Sequence, residues 1–241
     1  MLLTVERFSL KVGGVAVVGV LHLPPSGPAP CVVACHGMGA SKDSDKYVLL
    51  GRDFPEAGLA LARFDFRGSG ESGGLYRDAT IPSRIADLEA VLDYLAGHPS
   101  LDWRFGLLGS SLGGFVALWV ASRRREVIPV VTWNAPASLN ALAASRFADV
   151  TSPGAALVAD VRAGRYVEAP AGVRHVLVVQ GGADDVVAPA DGRILFERAG
   201  EPRELRLLSG ADHRLSDPLH RIEAVERSRD WLARHFDTEP A

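Results

Sequence analysis

Residues 104–119 read RFGLLGSSLGGFVALW. A short apolar run, RFGLLG, ends at Gly109. A second apolar run with helical character, LGGFVALWVASRRR (112–125), begins at once. A strand passing into a helix through Gly109-x-Ser111-x-Gly113 is the pattern of a sharp, strained turn that holds a serine at the top of a sheet. The flanking glycines let the chain bend, and the helix behind the turn directs a positive dipole end and free N–H groups at that serine. Ser111 is therefore the candidate nucleophile. Ser110 is expected to shape the bend and to point away from a substrate. A serine hydroxyl is a poor nucleophile alone and needs a base, so the rest of the chain has to supply one.

Outward from this stretch, segments of strand and helix character alternate. Strand patterns fall at 4–10 and 15–23 around Gly13-Gly14, and then at 31–37, 59–66, 104–109, 127–133, 175–181 and 204–210. Helical patterns fall at 44–58, 82–97, 112–125, 189–200 and 217–236. The run CVVACHG (31–37) is almost wholly apolar, as a strand covered on both faces should be. Alternation of this kind predicts an α/β fold: a mostly parallel eight-stranded sheet with helices on both faces and an antiparallel hairpin at one edge. The pattern weakens over 134–172. That stretch is the room for a small lid inserted between the sixth and seventh strands of a single domain covering 1–241.

Composition bounds the chemistry. The chain has 241 residues, 47% of them hydrophobic, with a net charge of −3. A core of good size is possible, and no basic excess marks a nucleic-acid binder. The one basic run, Arg123, Arg124 and Arg125, lies where a helix should end, where cations are favoured. No apolar run approaches the ~18 residues that span a bilayer, and the first residues lack a signal-peptide pattern. A soluble cytoplasmic protein with no membrane partner is expected. Cys31 and Cys35 would stand roughly 13 Å apart along a strand rising ~3.3 Å per residue. That is too far for a disulfide, and their spacing with His36 does not suit zinc. They are expected to be buried apolar filler.

In an open parallel sheet, chemistry gathers at the carboxyl ends of the strands. HGMG (36–39) follows the third strand, with glycines that let backbone N–H groups point into a site. Gly68-Ser-Gly-Glu-Ser-Gly73 formally matches G-x-G-x-x-G. No helix begins inside it and no acid ends a strand ~20 residues on, so it is expected to be a structural rim loop. Gly182-Ala-Asp-Asp follows the seventh strand, with Asp184 and Asp185. Gly210-Ala-Asp-His213 follows the eighth. The order serine, aspartate, histidine, each after a later strand, is that of hydrolases built on such a turn.

With HGMGASKD (36–43), RFDFRGSGES (63–72), GSSLGG (109–114), GGADDVV (181–187) and GADH (210–213), the chain resembles the α/β-hydrolase superfamily. Within it, the chain is most similar to small serine esterases that include bacterial cinnamoyl and feruloyl esterases, and to the serine-aminopeptidase-like (S33) group. The resemblance implies Ser111 as nucleophile, His213 as base and Asp184 as its orienting acid, with Asp185 as the alternative. It implies an oxyanion hole from the backbone N–H groups of Met38 and Leu112, supported by His36, Gly37, Gly109 and Gly113. Neither a cofactor nor a metal is implied. His36 is expected to hold the oxyanion loop, while the other histidines fit strands, turns or helix surfaces.

A serine in this place leaves ester, thioester, amide or peptide hydrolysis, whereas aspartate or cysteine would imply other members of the superfamily. An aminopeptidase needs a cap carrying acids, for which 134–172 is small. The reading favoured is a carboxylesterase-type serine hydrolase for short-chain acyl or aromatic-acid esters, working through an acyl-enzyme on a small-molecule ester as a monomer or homodimer. The alternatives are a thioesterase, a peptidase or amidase, and a non-catalytic binding protein of the same fold. Leu142, Phe147, Leu157 and Tyr166 would either line an acyl pocket or pack the lid onto the sheet.

Overall fold

The computed structural model describes residues 3–126, 128–143 and 154–236. Its centre is an eight-stranded sheet in the order β1-β2-β4-β3-β5-β6-β7-β8. The hairpin of β1 (Thr4–Val12) and β2 (Val15–Leu23) turns at Gly13-Gly14, and β2 pairs antiparallel with β4 (Ala60–Phe64). From β4 through β3 (Ala29–Cys35), β5 (Leu101–Ser110), β6 (Val130–Trp133), β7 (Val176–Gly181) and β8 (Arg203–Leu208), all pairings are parallel.

The nearly unbroken apolar reading of β3 has a simple cause: both of its faces are covered. Cys31, Val33 and Cys35 join one core with α2 (Ile81–Ala96) and α3 (Leu112–Ala121), through Leu88, Val91, Phe115 and Val116. Val32 and Ala34 join the other core with α1 (Asp45–Glu56) and α7 (Pro218–His235), through Tyr47, Leu50, Phe54, Val225 and Leu232. Side chains alternate across a strand, so one run feeds both layers. Both cysteines are free and fully buried, and burial pushes both thiols well above their ordinary range.

Most element ends fall within a few residues of expectation. The larger departures have local causes. The third helix stops at Ala121, before the basic run, and those arginines turn outward. Arg123 donates to the Tyr166 hydroxyl at 2.9 Å, and Arg124 pairs with Asp93 and Glu126. The fourth strand ends at Phe64 because Asp65 and Phe66 already serve the loop beyond. The insertion after β6 contains α4 (Asn140–Ala143) and α5 (Ala155–Arg162), followed by α6 (Pro189–Arg198) after β7. Backbone bonds from Leu139 to Val167 and from Ala169 to Ala137 fasten its two limbs together. Leu157 is buried in the core, Leu142 packs against it, and the Tyr166 ring meets Trp119 edge-on at 5.0 Å. These three side chains pack the insertion onto the body. Phe147 lies outside the described residues.

Candidate active site

Ser111 sits between the last residue of β5 and the first of α3, with φ 53° and ψ −127°. A non-glycine residue there is strained, and such strain persists only where surrounding contacts dictate it. Ser111 N–H donates to the Trp133 carbonyl at 2.8 Å, and its own carbonyl accepts Gly114 N–H at 2.9 Å. Backbone crowding enforces the rest. A Cβ at Gly113 would stand 2.1 Å from the Cys35 carbonyl oxygen, so α3 meets the end of β3 only because that residue is glycine. At Gly37 a Cβ would lie 3.0 Å from the Ser111 Cβ, which brings the HGMG loop directly against the serine.

Ser110 is buried, as expected for the residue before the apex, and it has a partner that the sequence did not announce. Its hydroxyl accepts a 2.7 Å hydrogen bond from the Lys46 ammonium of α1. Burial, with help from the Arg221 and Arg214 charges, pulls the Lys46 pKa down to about 8.

Beyond β7 and β8, Asp184 and His213 meet. The His213 Nδ1 lies 2.8 Å from Asp184 Oδ2. The carboxylate accepts, so Nδ1 carries the hydrogen and Nε2 is left as the basic nitrogen. Asp184 Oδ1 accepts the N–H groups of Val186 (2.9 Å) and Val187 (2.8 Å). Burial opposes the Asp184 charge, but these donors and His213 hold its carboxyl below its ordinary pKa. Asp185 is exposed and has no part in these contacts. Of the two acids open to sequence reading, Asp184 is the one that contacts the histidine. The Ser111 hydroxyl makes no hydrogen bond among the described residues, His213 included. Unliganded sites often tighten only around substrate.

The two halves are joined by Asn134, just past β6. Its Nδ2 donates to the carbonyls of His213 (2.9 Å) and Asp212 (3.2 Å), and its Oδ1 accepts Gly181 N–H at 2.7 Å. Trp133, which receives the Ser111 N–H, is its neighbour in the chain. Asn134 is buried and has φ 52°, a conformation asparagine tolerates better than most residues. Sequence reasoning passed over it, because an asparagine beginning an irregular stretch reads only as a turn.

The HGMG loop is held as its sequence suggested. His36 Nε2 accepts Phe66 N–H at 3.1 Å, so Nδ1 carries the hydrogen and donates to the Gly37 carbonyl at 2.8 Å. Burial, then the Arg84 charge, brings the His36 pKa down to about 4 and keeps it neutral. Met38 follows, and Leu112 opens α3, where the first N–H groups lack an intrahelical acceptor. The loop 68–73 braces this region. Asp65, wholly buried, accepts Lys42 N–H (2.7 Å) and Glu71 N–H (2.9 Å), and the buried Lys42 ammonium meets Asp43, Asp65 and Glu71. Burial works against that ammonium, yet the three carboxylates hold its pKa above the ordinary value. Among the described residues, no cluster of His, Cys, Asp or Glu is placed to hold a metal ion, and no helix is long and apolar enough to cross a membrane.

A family model described as serine aminopeptidase, S33 (Hydrolase_4), matches residues 26–166. Rv2307c, an uncharacterized protein of Mycobacterium tuberculosis, is 28% identical over 213 residues, covering 83% of this chain and 70% of that protein. The mouse mitochondrial palmitoyl-protein thioesterase ABHD10 is 30% identical over 102 residues, covering 42% of this chain and 33% of the relative. The solved structure of Est1E from Butyrivibrio proteoclasticus with bound ferulic acid superimposes with a TM-score of 0.80 at 18% identity. It covers 94% of this chain and 99% of Est1E. The shared architecture is the α/β-hydrolase fold.

Proposed function

Because this chain belongs to the serine aminopeptidase (S33) family of α/β hydrolases, we propose that it is a serine hydrolase cleaving carboxylic esters of short acyl or aromatic acids. The observation that carries this reading is the 2.8 Å contact between Asp184 and His213. It leaves a basic imidazole nitrogen beyond β8, at the carboxyl end of the same sheet whose strand β5 ends in the strained turn at Ser111. His213 Nε2 takes the Ser111 proton as Oγ attacks the ester carbonyl. The N–H groups of Met38 and Leu112 receive the oxyanion. Collapse of that intermediate breaks the ester bond, and the alkoxide leaves with the proton held by His213. Water then attacks the acyl-enzyme by the same route, giving the free acid and regenerating Ser111. Asp184 holds the imidazole orientation and supports its transient positive charge.

Esters are preferred to peptides because the insertion is small and packed onto the body, with Leu157 in the core. A thioester reading has its own support in the similarity to a palmitoyl-protein thioesterase over 102 residues. The proposed setting is a small-molecule substrate in the cytoplasm, with the protein a monomer or homodimer. The test is turnover of p-nitrophenyl acetate and butyrate beside an acyl-CoA, with fluorophosphonate labelling. Ser111→Ala is expected to lose both turnover, by at least about 10⁴-fold, and labelling, with an unchanged circular dichroism spectrum. If Ser110→Ala loses them instead, the register is wrong; if wild-type protein neither turns over nor labels, the hydrolase reading fails.

A further inference from the structure

Ser110, the residue before the apex, is gripped from the α1 face of the sheet. The partly buried Lys46 of α1 donates from its ammonium to the Ser110 hydroxyl at 2.7 Å. Tyr47, the next residue of that helix, is buried. Its hydroxyl is hydrogen-bonded to Ser110 and donates to the Cys35 carbonyl at 3.1 Å. That carbonyl oxygen is the one a Cβ at Gly113 would strike, and the Ser110 carbonyl oxygen lies 3.1 Å from where a Cβ at Gly37 would be. A short chain of polar contacts therefore runs from Lys46 through Ser110 and Tyr47 to the end of β3, against the backbone that holds Ser111. Crowding at Gly113 presses on the turn from α3, on one face of the sheet; Lys46 holds it from α1, on the other.

A lysine is a costly group to use in this way. An ammonium drawn partly out of water loses hydration, and a neutral hydroxyl restores only part of it. The charges around it are unfavourable on balance. Arg221 of α7 and Arg214 of the histidine loop act against the ammonium, and Asp212 acts for it, although the Asp212 carboxylate already accepts Ser216 N–H at 2.8 Å. On α1 itself, the Tyr47 ring centre lies 5.5 Å from Lys46 Nζ. The Lys46 charge is felt in turn at His36, in the oxyanion loop. With a pKa of about 8 against an ordinary 10.5, the protonated lysine at neutral pH favours the unfolded chain. The fold thus keeps, beside its candidate nucleophile, a charge that works against its own stability.

We propose that Lys46 is a positioning residue for Ser111: its charged hydrogen bond to Ser110 holds the strained turn, so that the Ser111 hydroxyl stays in line as His213 takes its proton. A hydrogen bond from a charged donor is roughly twice as strong as one between neutral groups, so the hold weakens when Lys46 loses its proton. The catalytic use of this clamp rests on the ester-hydrolase reading; the clamp itself does not.

The test is kcat and KM for p-nitrophenyl butyrate between about pH 6 and about pH 10, together with thermal unfolding, in wild type, Lys46→Met, Ser110→Ala and the double variant. Lys46→Met is expected to lower kcat about tenfold at near-constant KM, with a melting temperature at neutral pH no lower than that of wild type. Wild-type kcat is expected to fall above about pH 8, and Lys46→Met to lack that decline. Ser110→Ala should show the same tenfold loss, and the double variant no further loss. The proposal is overturned by an unchanged kcat, by a wild type without the alkaline decline, by a decline that persists in Lys46→Met, or by losses that multiply. A lower melting temperature with unchanged kcat makes the contact merely structural and overturns it as well. Should Lys46→Met fail to fold, Ser110→Ala decides by the same kcat and pH readouts. If wild type turns over no ester, the hydrolase reading falls and the unfolding data still decide the clamp: coupled changes in melting temperature keep it, and additive ones remove it.

Discussion

The two halves of the candidate site are built by different means. On the side of β7 and β8, Asp184 and His213 are held by hydrogen bonds between side chains and to backbone: His213 to one carboxylate oxygen, Val186 and Val187 to the other, and Asn134 to the histidine loop. On the side of β3 and β5, Ser111 and the HGMG loop are held by backbone crowding at Gly37 and Gly113 over a buried imidazole. The first half can lose one contact and keep its shape. The second has no slack, because a carbonyl oxygen lies where a Cβ would be. Polar contacts hold the proposed acid–base pair, whereas steric contact holds the proposed nucleophile.

The comparison breaks first at Asp184. Asp184→Asn should lower kcat by roughly 10³–10⁴-fold with little change in thermal stability, and Asp185→Asn should stay within about twofold of wild type. Steady-state kinetics of the pair check this, and the reverse order would reassign the acid. The other half should fail in the opposite way. Gly113→Ala forces a methyl into the Cys35 carbonyl and should cost on the order of 3 kcal/mol or more of stability, read as a large drop in melting temperature before any kinetic effect can be assigned.

Acid should strike the Ser111 half first. His36 has a folded pKa of about 4 against 6.5 for an ordinary histidine, so the unfolded chain binds a proton that the folded one refuses. Stability should fall as pH drops from about 6.5 toward about 4, with His36 accounting for roughly 3 kcal/mol. Asp184 acts in the same direction but at lower pH: its depressed pKa contributes stability above its ordinary value of 3.8 that is lost only below it. A melting curve against pH for wild type and His36→Gln checks the difference, and the variant should be flatter over that window. The smallest effect belongs to the link between the halves. Asn134→Ala removes the bonds to the His213 loop and to Gly181, and should lower kcat by about tenfold at near-constant KM. A loss of stability with unchanged kcat would make Asn134 merely structural.

Legibility divides along the same line. The strand–turn–helix at Ser111, the glycines and the order of Ser111, Asp184 and His213 were readable because each is a local pattern: apolar period, turn chemistry and position after a strand. The choice of Asp184 over Asp185 came from the family pattern, and the contact to His213 agrees with it. Asn134 and Lys46 were not readable. Asn134 acts on residues 47 and 79 positions away, and Lys46 reaches Ser110 across 64. The stretch at 134–172 was vague for a related reason: its short helices owe their burial to the body they pack on, and a helix of four or eight residues has little stability of its own.

By itself, then, the sequence determined the succession of strands and helices and the three residues proposed as the catalytic set, because periodicity and turn preference are written within a few neighbouring residues. Only the tertiary structure decided which polar atoms found partners. It paired Asp184 with His213, bonded Lys46 to Ser110, tied the histidine loop to β6 through Asn134, and left the Ser69 hydroxyl without a partner among the described residues. Satisfying a buried polar group depends on what distant segments bring to it, and no local pattern records that.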